Sequence, residues 1–329
     1  IVRHGLSQLP HCRNEGLRAL ITASGLDSEK IDTDAVGFRL APRLNAIGRL
    51  GHARDALELM TEATGPRAMQ LAEQLSRVNE DRKARELAIL TQANEMAQDQ
   101  GMTAPGSRAI VLAHEDWHPG IVGIVCSKLV DRYARPTILM QKTPQGCKGS
   151  GRSIECFHLH AGLGACAEHL MSFGGHDMAA GMQCAPERFE TFRDAFIQHA
   201  NDRLCDDDLV HHTRYDCSAR LEELTATAVR QLDRLAPFGA GNGRVRIRLT
   251  GIKLNGSCDP FGKTGNHLSL RIGSAGGNGP AVRVVGWGWA RHAAGIPNGA
   301  PVEMIVEPVL STWKGNTRIE PVLVDLRVL

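Results

Sequence analysis

Two short glycine-flanked segments, Gly149-Ser150-Gly151-Arg152-Ser153-Ile154 and Gly174-Gly175-His176-Asp177-Met178-Ala179-Ala180-Gly181, each carry one side chain suited to holding a phosphate. Those side chains are Arg152 and His176. Glycine removes side-chain bulk and permits positive φ, so the backbone can press against a ligand while one polar group projects into the site. Arginine presents a planar fork to phosphate oxygens, and histidine a donor or a proton. Gly151, Ser153, Gly174 and Gly175 are expected to line the same site. No set of metal ligands accompanies them in the sequence, and the nine cysteines contain no Cys-x-x-Cys pair, which argues against a zinc site and a disulfide framework. The pattern is that of half a phosphoesterase site.

Two further segments bear on it. Trp117-His118-Pro119-Gly120 stands between a strand and a helix, so free amides of the helix start point into the loop and would welcome an anion. The alternative is that His118 caps the helix and Trp117 fills the core. Ala41 to Gly51, APRLNAIGRLG, reads as a compact loop whose Arg43, Asn45 and Arg49 reach a phosphate or lock the joint between domains. Two look-alikes are set aside. His211-His212 has Val210 where an Asp-His-His metal motif needs Asp, and Gly262-Lys263-Thr264 is followed by a strand where a P-loop needs a helix.

The elements that must position these residues change character along the chain. Residues 1–40 read as short helices. A long helix follows Gly65-Pro66, with Leu71, Leu75 and Val78 at helical spacing, and runs to about Gln98, roughly 50 Å at 1.5 Å per residue. Its centre, residues 79–86, is polar nearly all round, which fits a strut between domains. From Arg108, strands at 109–113 and 137–140 alternate with helices at 121–133, 157–171 and 186–203, predicting a sheet covered by helices with both phosphate motifs on its loops. Gly174-Gly175 also reads as a helix stop.

After Asp206-Asp207-Asp208 and a helix at 221–235, five strand-length runs (244–254, 267–272, 281–286, 302–310 and 318–328) are separated by Gly/Pro/Asn turns and suggest a small OB-type barrel. From Gly243 to Leu329 there are 11 Lys+Arg against 5 Asp+Glu, a balance suited to a polyanion. Trp287 and Trp289 alternate and so share a strand face, while Phe261 and Trp313 fall in loops; these aromatics could stack on bases. Arg244, Arg246, Arg248, Lys253, Lys263 and Arg283 would track a nucleic-acid backbone.

The 329 residues and 42% hydrophobic content suit two or three well-formed domains. No apolar run approaches the roughly 20 residues of a membrane helix. The start, Ile1-Val2-Arg3-His4, lacks Met and a signal-peptide layout. The sequence therefore reads as N-terminally truncated, and the reducing cytoplasm as its compartment.

With these motifs in hand the chain resembles the bacterial RecJ exonucleases of the Asp-His-His (DHH) phosphoesterase superfamily. The resemblance rests on APRLNAIGRL (41–50), WHPGIVGIVCSKL (117–129), GSGRSI with GGHDMAAG (149–154 and 174–181) and LAPFGAGN (235–242), and covers essentially the whole chain. It implies α/β plus all-β architecture: residues 1–64 as a remnant of the DHH domain, a connecting helix over 65–104, an α/β DHH-associated domain with a mixed sheet over 105–205, and a linker helix with an OB barrel over 206–329. It implies 5′→3′ hydrolysis of single-stranded DNA to 5′-mononucleotides by two divalent ions, Mn2+ or Mg2+, whose ligands lie in a preceding domain, so this stretch alone would be inactive. It assigns Arg152 and His176 to catalysis and places Arg49 and Asn45 near the same cleft. The role implied is in DNA repair and recombination, as a monomer off the membrane, with single-strand-binding protein and a RecQ-type helicase as partners. An oligonucleotide or cyclic-dinucleotide phosphodiesterase, and a non-catalytic DNA-binding scaffold, are the alternatives.

Overall fold

The computed structural model describes the chain apart from residues 28–30, 278–280, 292–295 and 314 and the side chain of Trp313. The first 61 residues form short helices: α1 (Val2–Gln8), α2 (Glu15–Ala23), α3 (Thr33–Ala35), continued as a π-helical segment through Leu40, α4 (Ala41–Leu50) and α5 (Arg54–Thr61). Asn14 starts α2 by accepting from the Leu17 amide at 2.7 Å. The segment expected as a loop at 41–51 is instead α4. Pro42 sits in its first turn, where its fixed φ favours a helix, and Leu40, Leu44 and Ile47 recur at i, i+4 and i+7 to form its inner stripe.

The long helix α6 (Gly65–Asp99) begins at Gly65-Pro66 after an extended Thr64. Its first half buries Ala68, Leu71, Ala72 and Leu75 against Leu20, Ile21, Leu40, Ile47 and Leu59. Its last turns bury Ile89, Ala93 and Ala97 in a different core, with Trp117, Ile121, Val125 and Leu129. The polar centre joins these two cores, exposed at residues 80, 81 and 83–85 but not all round. Asn79 and Glu86 are buried there, Arg82 bonds both, and Lys128 from the next helix reaches Glu86 at 2.5 Å.

An α/β layer follows: β1 (Ile110–His114), α7 (Pro119–Tyr133), β2 (Thr137–Thr143), β3 (Gly146–Arg152), α8 (Leu159–Ala165), β4 (Ser172–Gly175), β5 (Ala179–Cys184) and α9 (Phe189–Arg203). The sheet order is β1-β2-β3-β5-β4, with β1 and β2 parallel and the other pairs antiparallel. The helix expected over 157–171 is shorter. It ends at Ala165 and passes through a 3-10 turn (Ala167–His169), and Gly174-Gly175 form part of edge strand β4 rather than a helix stop. Strand β4 has little strand propensity of its own and exists through its pairing with β5.

The described residues divide into two compact units, Ser7–His211 and Ile1–Leu6 with His212–Leu329. In the second, the helix expected over 221–235 is broken into α10 (Ala226–Leu232) between 3-10 turns. The strands are β6 (Cys217–Arg220), β7 (Ile247–Leu254), β8 (Asp259–Phe261), β9 (His267–Ser274), β10 (Val282–Gly286), β11 (Pro301–Glu307), β12 (Leu310–Trp313), β13 (Asn316–Ile319) and β14 (Val322–Val328). Strands β7-β11-β14-β10-β9 close on themselves through the β7–β9 pairing, and only β10–β14 is parallel, giving a five-stranded OB-type barrel. Gly251, at φ +64, interrupts the alternation of β7, so that Ile247 and Leu249 on one side and Ile252 and Leu254 on the other all face inward.

The Glu86 network makes a stability prediction. Glu86→Ala leaves Arg82, whose side chain is 13% exposed, without its carboxylate and is expected to cost about 3 kcal/mol in denaturant unfolding. Glu80→Ala, which breaks an exposed pair with Lys83 on the same helix, is expected to cost less than about 0.5 kcal/mol.

Candidate phosphate and nucleic-acid sites

Arg152 ends β3 directly opposite Ala179, the first residue of β5. The Ala179 carbonyl accepts from the His176 amide at 2.8 Å, and the Ser153 amide donates to the Met178 carbonyl at 3.1 Å. Residues 176–178 therefore form the turn between β4 and β5, at the end of β3 that carries Arg152. The backbone brings the two predicted phosphate groups to one corner of the sheet. His176 is exposed and Arg152 half-buried. The turn is tied down by its own Asp177, whose carboxylate meets His158 at 2.8 Å and whose carbonyl accepts from the Leu159 amide. Ser153 is buried and donates its hydroxyl to the Phe157 carbonyl at 2.6 Å, which makes it a support for the corner.

Both motifs were expected on loops, with glycines that admit a ligand. The structure places Gly149–Arg152 on β3 and gives most of these glycines another reason. A Cβ on Gly149 would lie 2.3 Å from the Leu139 carbonyl oxygen, and one on Gly151 would press on Leu159 and Ile138 at 3.1–3.2 Å. They let neighbouring strand and helix approach. Gly175 has φ +145, and a Cβ there would meet the Ala179 oxygen at 2.4 Å. Only Gly174, exposed with nothing within 4 Å of its Cβ direction, presents open backbone.

On the other face of β3, the Arg152 guanidinium rests against α7, where a Cβ on Gly123 would stand 3.1 Å from its Nη2. Cys126, one turn on, donates to the Ser150 carbonyl, and burial pushes its thiol up to about 12, so it is no nucleophile despite its arginine neighbour. The amides expected to be free at the start of α7 are occupied. His118 Nδ1 accepts from Gly120 at 3.1 Å, and the His118 carbonyl accepts from Ile121 and Val122. Trp117 is buried and donates to Gln92. The capping alternative is what the geometry shows.

Arg49 donates to the Gly120 carbonyl at 3.1 Å, joining α4 to α7. Arg43 bonds Ser76 of α6 and the Arg39 carbonyl, and burial lowers its pKa against the partial opposition of Glu80. Asn45 is exposed. A cavity of about 410 Å³ lined by His114, Lys142 and Pro186 lies at the opposite end of β2 from Thr137, the partner of Arg152, and contains neither Arg152 nor His176.

In the barrel, Phe261 pairs with His267 across β8 and β9, and Trp287 follows β10. Their rings meet at 5.7 Å (Phe261–Trp287), 4.8 Å (His267–Trp287) and 5.4 Å (Phe261–His267), and Trp287 is 57% exposed. Arg283 stands 5.6 Å over Phe261. This is an aromatic platform on the face of the second and third barrel strands, where OB folds commonly take oligonucleotides. Phe261 lies on a strand and not in a loop. Trp287 and Trp289 do not share a strand face, because β10 ends at Gly286 and Gly288 turns the chain at φ +77, so Trp289 packs against the core. The backbone of Trp313 ends β12 rather than lying in a loop, and its side chain is outside the described residues.

The arginines expected to track a strand have partners. Arg246 pairs with Glu307 at 3.2 Å, Arg248 with Glu303 at 2.7 Å, and Arg244 stacks on Phe238 at 5.1 Å. Lys253 is half-buried and Lys263 exposed in the β8–β9 turn. His267 was missed by sequence reasoning. The hairpin turn before it, with Gly262 and Gly265 at positive φ, was the available sign that it faces Phe261.

Among the described residues, no group of three or more His, Cys, Asp or Glu side chains could hold a metal ion. These residues do not fit a divalent-metal site.

Two family models match: the DHHA1 domain over residues 106–202 and the RecJ OB domain over residues 215–325. The single-stranded-DNA-specific exonuclease RecJ of Bacillus subtilis is 32% identical over 98% of this chain and 41% of its own length. The protein of that name from Thermus thermophilus is 31% identical over 99% of this chain and 45% of its length. The crystal structure of RecJ from Thermus thermophilus in complex with Mn2+ superposes with a TM-score of 0.82 at 30% identity, covering 99% of this chain and 46% of that one. A second structure of it holds Mg2+. The chain thus spans less than half the length of these relatives.

Gly120→Ala probes the α4–α7 joint, because its Cβ would stand 2.4 Å from the Arg49 carbonyl oxygen. The expected loss is about 1–3 kcal/mol, read as a lowered Tm, whereas Gly48→Ala, with open space around it, is expected to leave Tm unchanged or raise it.

Proposed function

Since the chain belongs to the RecJ family, we propose that it supplies the phosphate-orienting and strand-holding parts of a 5′→3′ exonuclease that degrades single-stranded DNA to 5′-mononucleotides. The observation that carries this reading is the aromatic platform of Phe261, His267 and Trp287. Unpaired bases can stack on it, whereas the bases of a duplex are already stacked on each other. The barrel also favours this reading over a phosphodiesterase for very short substrates.

Arg152 and His176, at one corner of the sheet, orient a phosphate by charge and hydrogen bonding and stabilise charge as the bond breaks. The His158–Asp177 pair and the Ser153 hydroxyl hold that corner in shape. Arg49 and His118 support it through α7. A divalent ion, Mn2+ or Mg2+, is the expected cofactor of the complete enzyme. No donor set for it exists among the described residues, so the metal-dependent part of the hydrolysis is not assigned to them.

Two outcomes test the reading. The 329-residue chain is expected to bind oligothymidylate in a salt-dependent manner and to leave it intact in Mn2+ buffer, and Trp287→Ala is expected to weaken that binding by about 1–3 kcal/mol. Release of mononucleotides by the purified chain, or binding indifferent to Trp287, would contradict it. In a complete enzyme containing these residues, Arg152→Ala and His176→Ala are each expected to lower kcat by about 10²- to 10³-fold while changing the Kd for DNA little. An unchanged kcat would refute their roles.

A further inference from the structure

We propose that Glu320 sets the selectivity of the barrel platform: by neutralising Arg283 and Arg318 it keeps stacking ahead of charge and so favours single strands over duplex. The inference rests on the reading of the barrel as a single-strand holder.

Arg283 is fixed by three contacts. Its Nε donates to Ser269 Oγ at 2.9 Å, its Nη1 meets Glu320, and its guanidinium stands 5.6 Å over the Phe261 ring. Arg318 reaches the same Glu320 oxygen at 3.4 Å. One carboxylate, 15% exposed, thus serves two guanidiniums that are 31% and 59% exposed. Arg283 and Arg318 together therefore offer a ligand the charge of one cation, to which Arg271, exposed and cross-strand from Arg283, is a separate addition.

The consequence follows from charge density. Duplex DNA carries one phosphate per roughly 1.7 Å of axis, a single strand half that, and the salt slope per neutralised phosphate is about −0.9 for duplex and −0.7 for single strands. Each uncompensated cation at the platform therefore strengthens duplex binding more than single-strand binding. Stacking on Phe261 and Trp287 works the other way, because only unpaired bases offer free faces. Glu320 holds down the term that does not discriminate and leaves the one that does. Arg246–Glu307 and Arg248–Glu303 join β7 and the residue before it to β11, with Arg248 over Tyr215 rather than over Phe261, and so lack this effect on stacking at the platform.

The test measures binding of the 329-residue chain to a fluorescent oligothymidylate and to a hairpin duplex of equal length, by anisotropy across a salt series. Glu320→Gln, close in shape, is expected to tighten single-strand binding about threefold at low salt and to steepen its slope by about 0.7. Duplex binding should tighten further, so the ratio of single-strand to duplex affinity falls at least about twofold. Arg318→Gln, at an exposed position, is expected to do the reverse, with a shallower slope and a higher ratio. Glu303→Gln is expected to leave the ratio unchanged.

Weaker single-strand binding in Glu320→Gln would show that Glu320 serves to position Arg283 and would overturn the proposal, as would an unchanged slope and ratio. Should Glu320→Gln fail to fold, an unchanged slope in Arg318→Gln decides against it. A wild-type chain that binds no single-stranded DNA overturns the proposed function itself, a different failure from a wild type that binds and a Glu320→Gln that behaves like it.

Discussion

The register between β3 and β5 is the constraint on which the corner proposed to hold a phosphate rests. It sets Arg152 opposite Ala179, and the same Ala179 carbonyl holds the His176 amide. Side chains alternate along β3, with Ser150 and Arg152 toward α7 and Gly149 and Gly151 toward Met140, Leu159 and Ile138. A slip of one residue would turn the guanidinium into that apolar layer and set a glycine against α7. The glycines guard the register as much as they shape the site, since a side chain at 149 meets the Leu139 backbone and one at 151 must displace Leu159 and Ile138.

The two units handle negative charge differently. In the α/β layer, Arg152 is applied to α7 through Gly123 and leaves its strand end beside an exposed histidine. In the barrel, Arg246, Arg248 and Arg283 each meet a glutamate that is more buried than themselves. Paired arginines of this kind contribute modestly to stability at the surface and limit non-specific attraction of polyanions. A single positive patch would bind any nucleic acid. On the proposed reading, aromatic rings set among compensated charges discriminate by whether bases are free.

What was legible in the sequence had strong local signals. Strands β1 and β2 and helix α7 follow apolar runs bounded by turn residues, α6 follows Gly65-Pro66, and the five barrel strands alternate between Gly/Pro/Asn turns. Arg152 and His176 drew notice as types set among glycines, and the backbone brings them to one corner. What failed depended on partners distant in sequence. Strands β3 and β4 are glycine-rich and become strands only by pairing, so their motifs read as loops. Pro42 and Gly48 disguised α4 until its buried stripe was matched to α6. The polar middle of α6 read as a strut without buried groups of its own, and nothing local announces that Asn79 and Glu86 are buried or that Lys128 will meet Glu86. His267 and Glu320 are ordinary residues until the barrel brings them to Phe261 and Arg283.

The proposed function requires above all that Arg152 and the turn bearing His176 together hold a nucleotide phosphate. The direct measurement is a titration of the 15N-labelled chain with thymidine 5′-monophosphate, followed by amide NMR. The expected result is that the amides of Arg152, Ser153, His176, Asp177 and Met178 shift together with one dissociation constant, while those around His114 and Lys142 stay put. Shifts confined to the His114–Lys142 cavity, or none at the Arg152 corner under saturating nucleotide, would contradict it.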